Sequence, residues 1–251
     1  MSAAGPPVPM LSAERLDVAI AGSPILRGVS LEVGERELVC LVGRNGAGKT
    51  TILRTIMGYL RPTRGGVRFR GQSLVGLPTH AIAARGLGFA PEESGIFGDL
   101  TVAENIEIAT WTRATATPAA ERIERAYRVF PRLRAYRDRG GMQLSGGERK
   151  MLSIARALAL DADLLLLDEP FEGLSPAIIP VVSDGIAAIT ALGQAILMAE
   201  SNIHHVPEQT SRLYVIERGE IVFAGTPADA RRDRTVLRII GGAEPLKETR
   251  S

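Results

Sequence analysis

A single cysteine, Cys40, stands among 251 residues, so an internal disulfide is excluded and a reducing compartment is the expected setting. No window holds the roughly 18 to 20 consecutive apolar residues that a membrane-spanning helix needs. The longest candidate, Ile186 to Ala199, is broken by Thr190, Gly193 and Gln194. Charge of one sign is also missing: 30 Lys and Arg against 28 Asp and Glu leave +2, too little to propose a nucleic-acid partner from Coulomb attraction. The opening MSAAGPPVPM has no basic stretch followed by an apolar one, so it reads as a loose tail and not as a signal peptide. Aromatic residues make up only 4%, but with 45% hydrophobic and 23% charged residues a disordered or fibrous chain is excluded, and one compact unit or two small ones is expected.

Short apolar runs alternate with longer helical patterns, with glycines between them, which predicts an α/β architecture whose strands are mostly buried. LVCLVG (Leu38 to Gly43) reads as a strand running into a glycine-rich turn and a helix over Thr50 to Met57. Gly58 and Pro62 stop that helix. VRFRGQSL alternates like a half-buried strand, and GLGFAPEE carries a short strand toward Pro91. Between Thr101 and Gly140 the character turns helical, rich in Ala, Arg and Glu. The parallel pattern then resumes with a helix over Glu148 to Ala159, a strand over Leu164 to Leu167, a helix over Ala177 to Leu192 and a strand over Ala195 to Ala199. A hairpin follows, Tyr214 to Glu217 and Glu220 to Phe223, turning at Arg218 and Gly219.

Three motifs carry chemistry. GRNGAGKT, Gly43 to Thr50, fits the phosphate-loop pattern G-x-x-x-x-G-K-[ST] and lies between a strand and a helix, where such a loop must lie. Gly46 and Gly48 let main-chain N–H groups turn inward around phosphate oxygens, and the helix start adds partial positive charge. Lys49 would bridge the β- and γ-phosphates, and the Thr50 hydroxyl would hold Mg²⁺. LLLLDEP, Leu164 to Pro170, places Asp168 at the tip of a buried strand, to hold the metal's water shell, and Glu169 next to it, to polarise an attacking water. A strand simply ending in solvated acids is the competing reading. LSGGE, Leu144 to Glu148, precedes the helix KMLSIARAL. Capping explains Ser145 and Glu148, whereas two adjacent glycines, Gly146 and Gly147, weaken a helix start and so favour a phosphate-facing role.

The order of these motifs, with a helical insert between the first and the other two, resembles the nucleotide-binding subunit of ATP-binding cassette transporters over about Leu11 to Ala230. The resemblance implies a P-loop NTPase cassette: a RecA-like parallel-sheet core, an antiparallel β subdomain and a helical insert. It implies an organisation of a flexible tail over 1–10, an ATP-binding core with the antiparallel subdomain over 11–97 and 148–251, and a helical subdomain over 98–147 ending in the signature. It implies an ATPase that uses ATP and Mg²⁺, with Gly43, Arg44, Asn45, Gly46, Ala47, Gly48, Lys49, Thr50 and Thr51 around the nucleotide. In that family two cassettes stack head to tail, so Ser145, Gly146, Gly147 and Glu148 of one subunit would face the γ-phosphate held by Lys49 of the other. Glu169 would be the general base, and Thr50, Asp168 and Glu92 the metal's neighbours.

Finer features look like the second ATPase of branched-chain amino-acid and amide or urea importers: GRNGAGKTT, PEESGIFGDLTVAENI, LSGGERKMLSIARAL, LLLLDEPFEGLSP and VIERGEIVFAGTP. In many cassettes a Gln stands where Glu92 does, in the loop that touches the membrane subunit, and an Asp stands where Pro176 does. A solvated loop acid is the plainer reading of Glu92. The resemblance places the chain peripherally on the cytoplasmic face of the inner membrane. Its partners would be a second cassette, a permease and, indirectly, a periplasmic binding protein, with no nucleic acid.

Two departures fall on positions the family uses. Ile20, in LDVAIAG, stands where an aromatic often stacks on adenine; losing that stacking costs about 0.5–1.5 kcal/mol and loosens selection of adenine over guanine. Ser201, in LMAESNIHH, stands where most cassettes carry a switch His. Serine can hydrogen-bond a phosphate oxygen but carries no positive charge near neutral pH. His204 and His205 follow, and a surface pair is the favoured reading for them. Arg231, Arg232, Arg234 and Arg238 form a basic cluster near the C-terminal end, read as a solvated helix face ahead of a lipid contact. Urea or amide uptake, a soluble non-transport cassette and a regulator with little hydrolysis are the alternative functions.

Overall fold

The alternating and wholly apolar segments form strands and the amphipathic ones helices. The computed structural model describes residues 9–240. In chain order these are β1 (Leu11–Ile20), β2 (Ser23–Val33), β3 (Leu38–Val42), α1 (Lys49–Ile56), β4 (Arg64–Phe69), β5 (Gln72–Ser73), α2 (Thr79–Ala84), β6 (Leu87–Ala90), α3 (Val102–Ala109), α4 (Ala119–Val129), α5 (Pro131–Ala135), α6 (Gly146–Ala159), β7 (Leu164–Asp168), α7 (Ile179–Ala191), β8 (Ala195–Glu200), β9 (Arg212–Glu217), β10 (Glu220–Gly225), α8 (Pro227–Ala230) and α9 (Arg234–Ile240). A six-stranded sheet has the order β10-β9-β3-β8-β7-β6, and a four-stranded antiparallel sheet the order β2-β1-β4-β5. Within the larger sheet β6, β7, β8, β3 and β9 run parallel, and β10 returns antiparallel at one edge.

Period-two side-chain alternation divides the parallel strands between two hydrophobic cores. Leu38, Cys40 and Val42 of β3, Leu165 and Leu167 of β7, and Ile196 and Met198 of β8 face α3, α4, α6 and α7. Val39 and Leu41, Leu164 and Leu166, and Leu197 and Ala199 face α1 and the antiparallel sheet. The Arg218–Gly219 turn closes the predicted hairpin with φ of 48° and 85°, the two left-handed residues that a tight turn matched to strand twist requires.

Three expectations shift in detail. Met10, assigned to the tail, is buried and its carbonyl accepts from the Arg70 N–H, because an apolar side chain beside β1 gains from joining that core. Residues 1–8 and 241–251 lie outside the described residues. A boundary at 147/148 falls inside α6, which carries the signature glycines in its first turn and packs on α3, α4 and β6 alike. The helical segment and the parallel sheet share one continuous core, in which Ile106, Ala126, Phe130 and Leu133 join the inner residues of β3, β7 and β8.

Candidate nucleotide site

The strand order delivers the site. β3 lies beside β8, β8 beside β7 and β7 beside β6, all parallel, so the loops leaving these strands emerge at one edge. Those loops hold the glycine-rich turn, Ser201, the acid pair and Glu92. In open parallel sheets this edge is where ligands bind.

Gly48 precedes α1 with φ 115°, in the left-handed region that favours glycine, and a Cβ there would meet Leu26 Cδ2 at 2.7 Å. Lys49 is buried, 3% exposed. Its Nζ donates to the carbonyls of Gly43 at 2.7 Å and Arg44 at 3.2 Å and forms an ion pair with Glu169 Oε1 at 3.0 Å. The Thr50 hydroxyl donates to Asp168 Oδ1 at 3.1 Å. The acids of LLLLDEP are therefore not solvated: Asp168 is 1% and Glu169 4% exposed. A cavity of about 380 Å³ is lined by Ile20, Ile25, Asn45, Gly46, Gly48, Lys49, Thr50, Thr51, Glu92 and Glu169. It thus gathers Ile20, the glycine-rich turn, Glu92 and Glu169.

Electrostatics separates the acids. Burial, with the charges of Glu92 and Glu169, pushes Asp168 up to about 6, against the Thr50 hydrogen bond and the Lys49 charge. Burial also acts to raise Glu169, but the neighbouring polar side chains of Glu172, Lys49 and Ser201, together with the Lys49 charge, outweigh it and hold Glu169 low. Glu172, hydrogen-bonded to Glu169, rises to about 7. Of these three acids Glu169 is the one held most firmly in its ionised form. It leaves β7 with a left-handed φ of 46°, a strained conformation for a residue other than glycine. Its Oε2 is buried without a hydrogen-bond partner, an acceptor aimed at something the polypeptide does not supply.

The second glycine motif divides on inspection. Ser145 and Glu148 form a complete capping box, Glu148 N–H to Ser145 Oγ and Ser145 N–H to Glu148 Oε2. A Cβ on Gly147 would meet Ile178 Cγ2 at 2.9 Å, whereas one on Gly146 would meet nothing within 4 Å. Packing therefore accounts for Gly147 and leaves Gly146 open on the surface. Neither residue lines the Lys49 cavity.

Beyond Ser201 the structure overturns the surface-pair reading for one histidine. His204 is exposed, but His205 is turned inward: its Nδ1 lies 3.2 Å from Glu200 Oε2, and its ring packs 5.4 Å from that of Phe171. The cause is Glu200, fully buried at the end of β8, which takes the Phe171 N–H on its other oxygen and needs a second partner. Burial lifts Glu200 to about 8 and lowers His205, so it favours the neutral form of each. Two further residues escaped the sequence reading. Asn105, fully buried, accepts from the Phe97 N–H and donates to the Phe97, Leu100 and Thr101 carbonyls, stitching the loop after β6 to α3. Lys150, also buried, donates to the main-chain oxygens of Glu92 and Glu169. Three-dimensional pairing alone makes these roles visible.

A phosphate loop between strand and helix, an acid pair on a neighbouring parallel strand and a capped serine-glycine helix start define an ATP-hydrolysing P-loop cassette. The ABC transporter family model matches residues 26–172, and the chain belongs to the ABC transporter family of ATP-binding subunits. It is similar to the lipopolysaccharide export system ATP-binding protein LptB of Haemophilus influenzae, 35% identical over 94% of this chain and 98% of that protein. It is also similar to the high-affinity branched-chain amino acid transport ATP-binding protein BraG of Pseudomonas aeruginosa, 36% identical over 87% of this chain and 94% of that one. Among solved structures, MJ1267, an ATP-binding cassette of an ABC transporter in its ADP conformation, has the same fold, with a TM-score of 0.79 at 23% identity over 94% of this chain and 100% of that chain.

Proposed function

We propose that this cassette powers import of small polar solutes, branched-chain amino acids first, by hydrolysing ATP beneath a membrane permease. The observation that carries the reading is the pair Glu92 and Pro176, at the permease loop and the loop after the acid pair. Here Glu92 faces the nucleotide cavity together with Lys49 and Glu169. Similarity to BraG supports amino-acid uptake; similarity to LptB over more of the chain supports a second reading, export of a lipid. Among the described residues no helix is long and apolar enough to cross a membrane, so either role requires membrane subunits. A groove of about 510 Å³, lined among others by Tyr59, Phe89, Phe97, Ile108 and Arg156, flanks the Glu92 loop and suits a short helix of such a subunit.

ATP fits the cavity residues: the N–H groups of Gly46 to Thr50 would hold its phosphates, and Lys49, now paired with Glu169, would supply a cation to phosphate oxygens. Ile20 and Ile25 offer aliphatic contact to the base. Thr50, Asp168 and Glu92 are hard oxygen donors that suit Mg²⁺, which when bound neutralises phosphate charge. Once Lys49 turns to the phosphates, the ionised Glu169 is free to orient a water and take its proton. Gly146, open on the surface, would meet the γ-phosphate bound to a second cassette, so the working unit is a head-to-tail dimer on the cytoplasmic face of the membrane.

Transport assays with the cassette and its permease subunits in vesicles, supplied with a periplasmic binding protein, decide between the readings. ATP-dependent uptake of labelled leucine is expected. ATPase stimulation by lipopolysaccharide, with no leucine uptake, would overturn import in favour of lipid export.

A further inference from the structure

The three motifs leave Lys150 without a role. It lies in α6, five residues beyond the cap Ser145, and is 4% exposed. Its Nζ donates to the Glu92 carbonyl at 2.7 Å and to the Glu169 carbonyl at 3.0 Å. Burying an ammonium group is costly unless it is hydrogen-bonded and compensated. Burial lowers Lys150, and the nearby charges of Glu92, Asp168 and Glu169 offset that only in part, so the two carbonyls carry the rest. Helix packing alone does not ask for a cation here, since an unbranched apolar side chain would fill the same space.

The position of the two carbonyls gives the cation its use. One belongs to the loop leaving β6, the other to the turn leaving β7, and the donor comes from the helix that starts with the signature. At Glu169 the peptide is held on both sides: its N–H donates to the Ala199 carbonyl at 3.0 Å and its own carbonyl accepts from Lys150. This clamp maintains the left-handed φ of 46° that turns the Glu169 carboxylate toward Lys49.

We propose that Lys150 is a positioning residue for hydrolysis, fixing the Glu169 turn against the Glu92 loop from the signature helix. The proposal rests on Glu169 being the general base. A small displacement of a catalytic group is enough to cost orders of magnitude in rate. ATP binding, made by the phosphate loop, does not depend on this clamp.

The test compares Lys150→Met, Lys150→Arg and Lys150→Gln in the full chain, reading kcat, KM, melting temperature and the Kd of a fluorescent ATP analogue. Lys150→Met should lower kcat by about 10- to 100-fold with the Kd within about threefold of wild type. Lys150→Arg, which keeps the charge and the donors, should recover most of the rate. A Lys150→Met rate within about twofold of wild type, or a Lys150→Arg variant as impaired as Lys150→Met, would overturn the proposal. If Lys150→Met does not fold, Lys150→Gln decides: a loss of at least about fivefold in kcat at unchanged Kd is expected, and an unchanged kcat overturns it. Glu169→Gln measured in parallel separates the two claims. Normal turnover in Glu169→Gln removes the general base itself, whereas lost turnover in Glu169→Gln beside a normal Lys150→Met removes only the clamp.

Discussion

Ser201 and Glu200 are adjacent in sequence but work on different problems. The Ser201 hydroxyl helps to hold Glu169 ionised, so Ser201→Ala should slow hydrolysis by about fivefold, the worth of one neutral hydrogen bond. An unaltered rate at saturating ATP would move the switch to another group. Glu200 is a stability device. Its folded pKa of about 8 lies above the ordinary 4.5, so the folded chain keeps a proton that the unfolded chain releases between those values. The stability it contributes is present below the unfolded value and is lost as pH rises through about 8. Glu200→Gln, which cannot ionise, should therefore melt close to wild type near pH 5 and roughly 5 °C or more above it near pH 9. Equal melting curves at both pH values would show that Glu200 is not held protonated. At this scale the sequence was partly legible. Lys49, Thr50, Asp168 and Glu169 stand in contiguous patterns, whereas the His205–Glu200 pair depends on the short turn over Ile203–His205 that brings the ring back under β8.

At the level of elements, most helices and strands follow from local chemistry. Among the described residues, complete capping boxes begin with Thr101, Ser145 and Thr226, each the kind of cap whose loss costs about 0.5–2 kcal/mol. The start of α6 carries the sharper lesson. Two glycines in one motif look equivalent in sequence, but the contact with Ile178 makes only Gly147 necessary to the fold. Gly147→Ala should destabilise the chain or displace the loop ahead of α7. Gly146→Ala should leave it as stable as wild type or about 0.5–1 kcal/mol more stable while lowering ATPase turnover at least about tenfold, because the added methyl intrudes where a second cassette's phosphate would lie. Thermal melts and turnover on both variants check this, and full activity in Gly146→Ala would sink the phosphate-facing role. The periodicity of α6 could not reveal the difference, since Ile178 lies far along the chain.

For the whole molecule, the absences of the sequence take on a definite sense. The lack of a long apolar run agrees with the absence of a membrane-length helix among the described residues. The scarcity of aromatics extends to Ile20, 43% exposed at the mouth of the cavity. The parallel sheet and its hairpin were readable from apolar runs and turn residues; the β1–β2 pairing rested on family resemblance, because its register shifts blur the alternation. Core and helical insert meet at α6, which packs on α3 and α4 on one side and β6 on the other. We propose that Glu169 is the general base for ATP held between this cassette and a second one, whether a copy of this chain or a related cassette. The most direct test is the mass in solution of Glu169→Gln with and without ATP and Mg²⁺, alongside turnover. A dimer with ATP, a monomer without it, and turnover lowered by about 10²–10⁴ are expected. A variant that turns over at the wild-type rate would contradict the role of Glu169, and one that stays monomeric at saturating ATP would contradict pairing with its own copy.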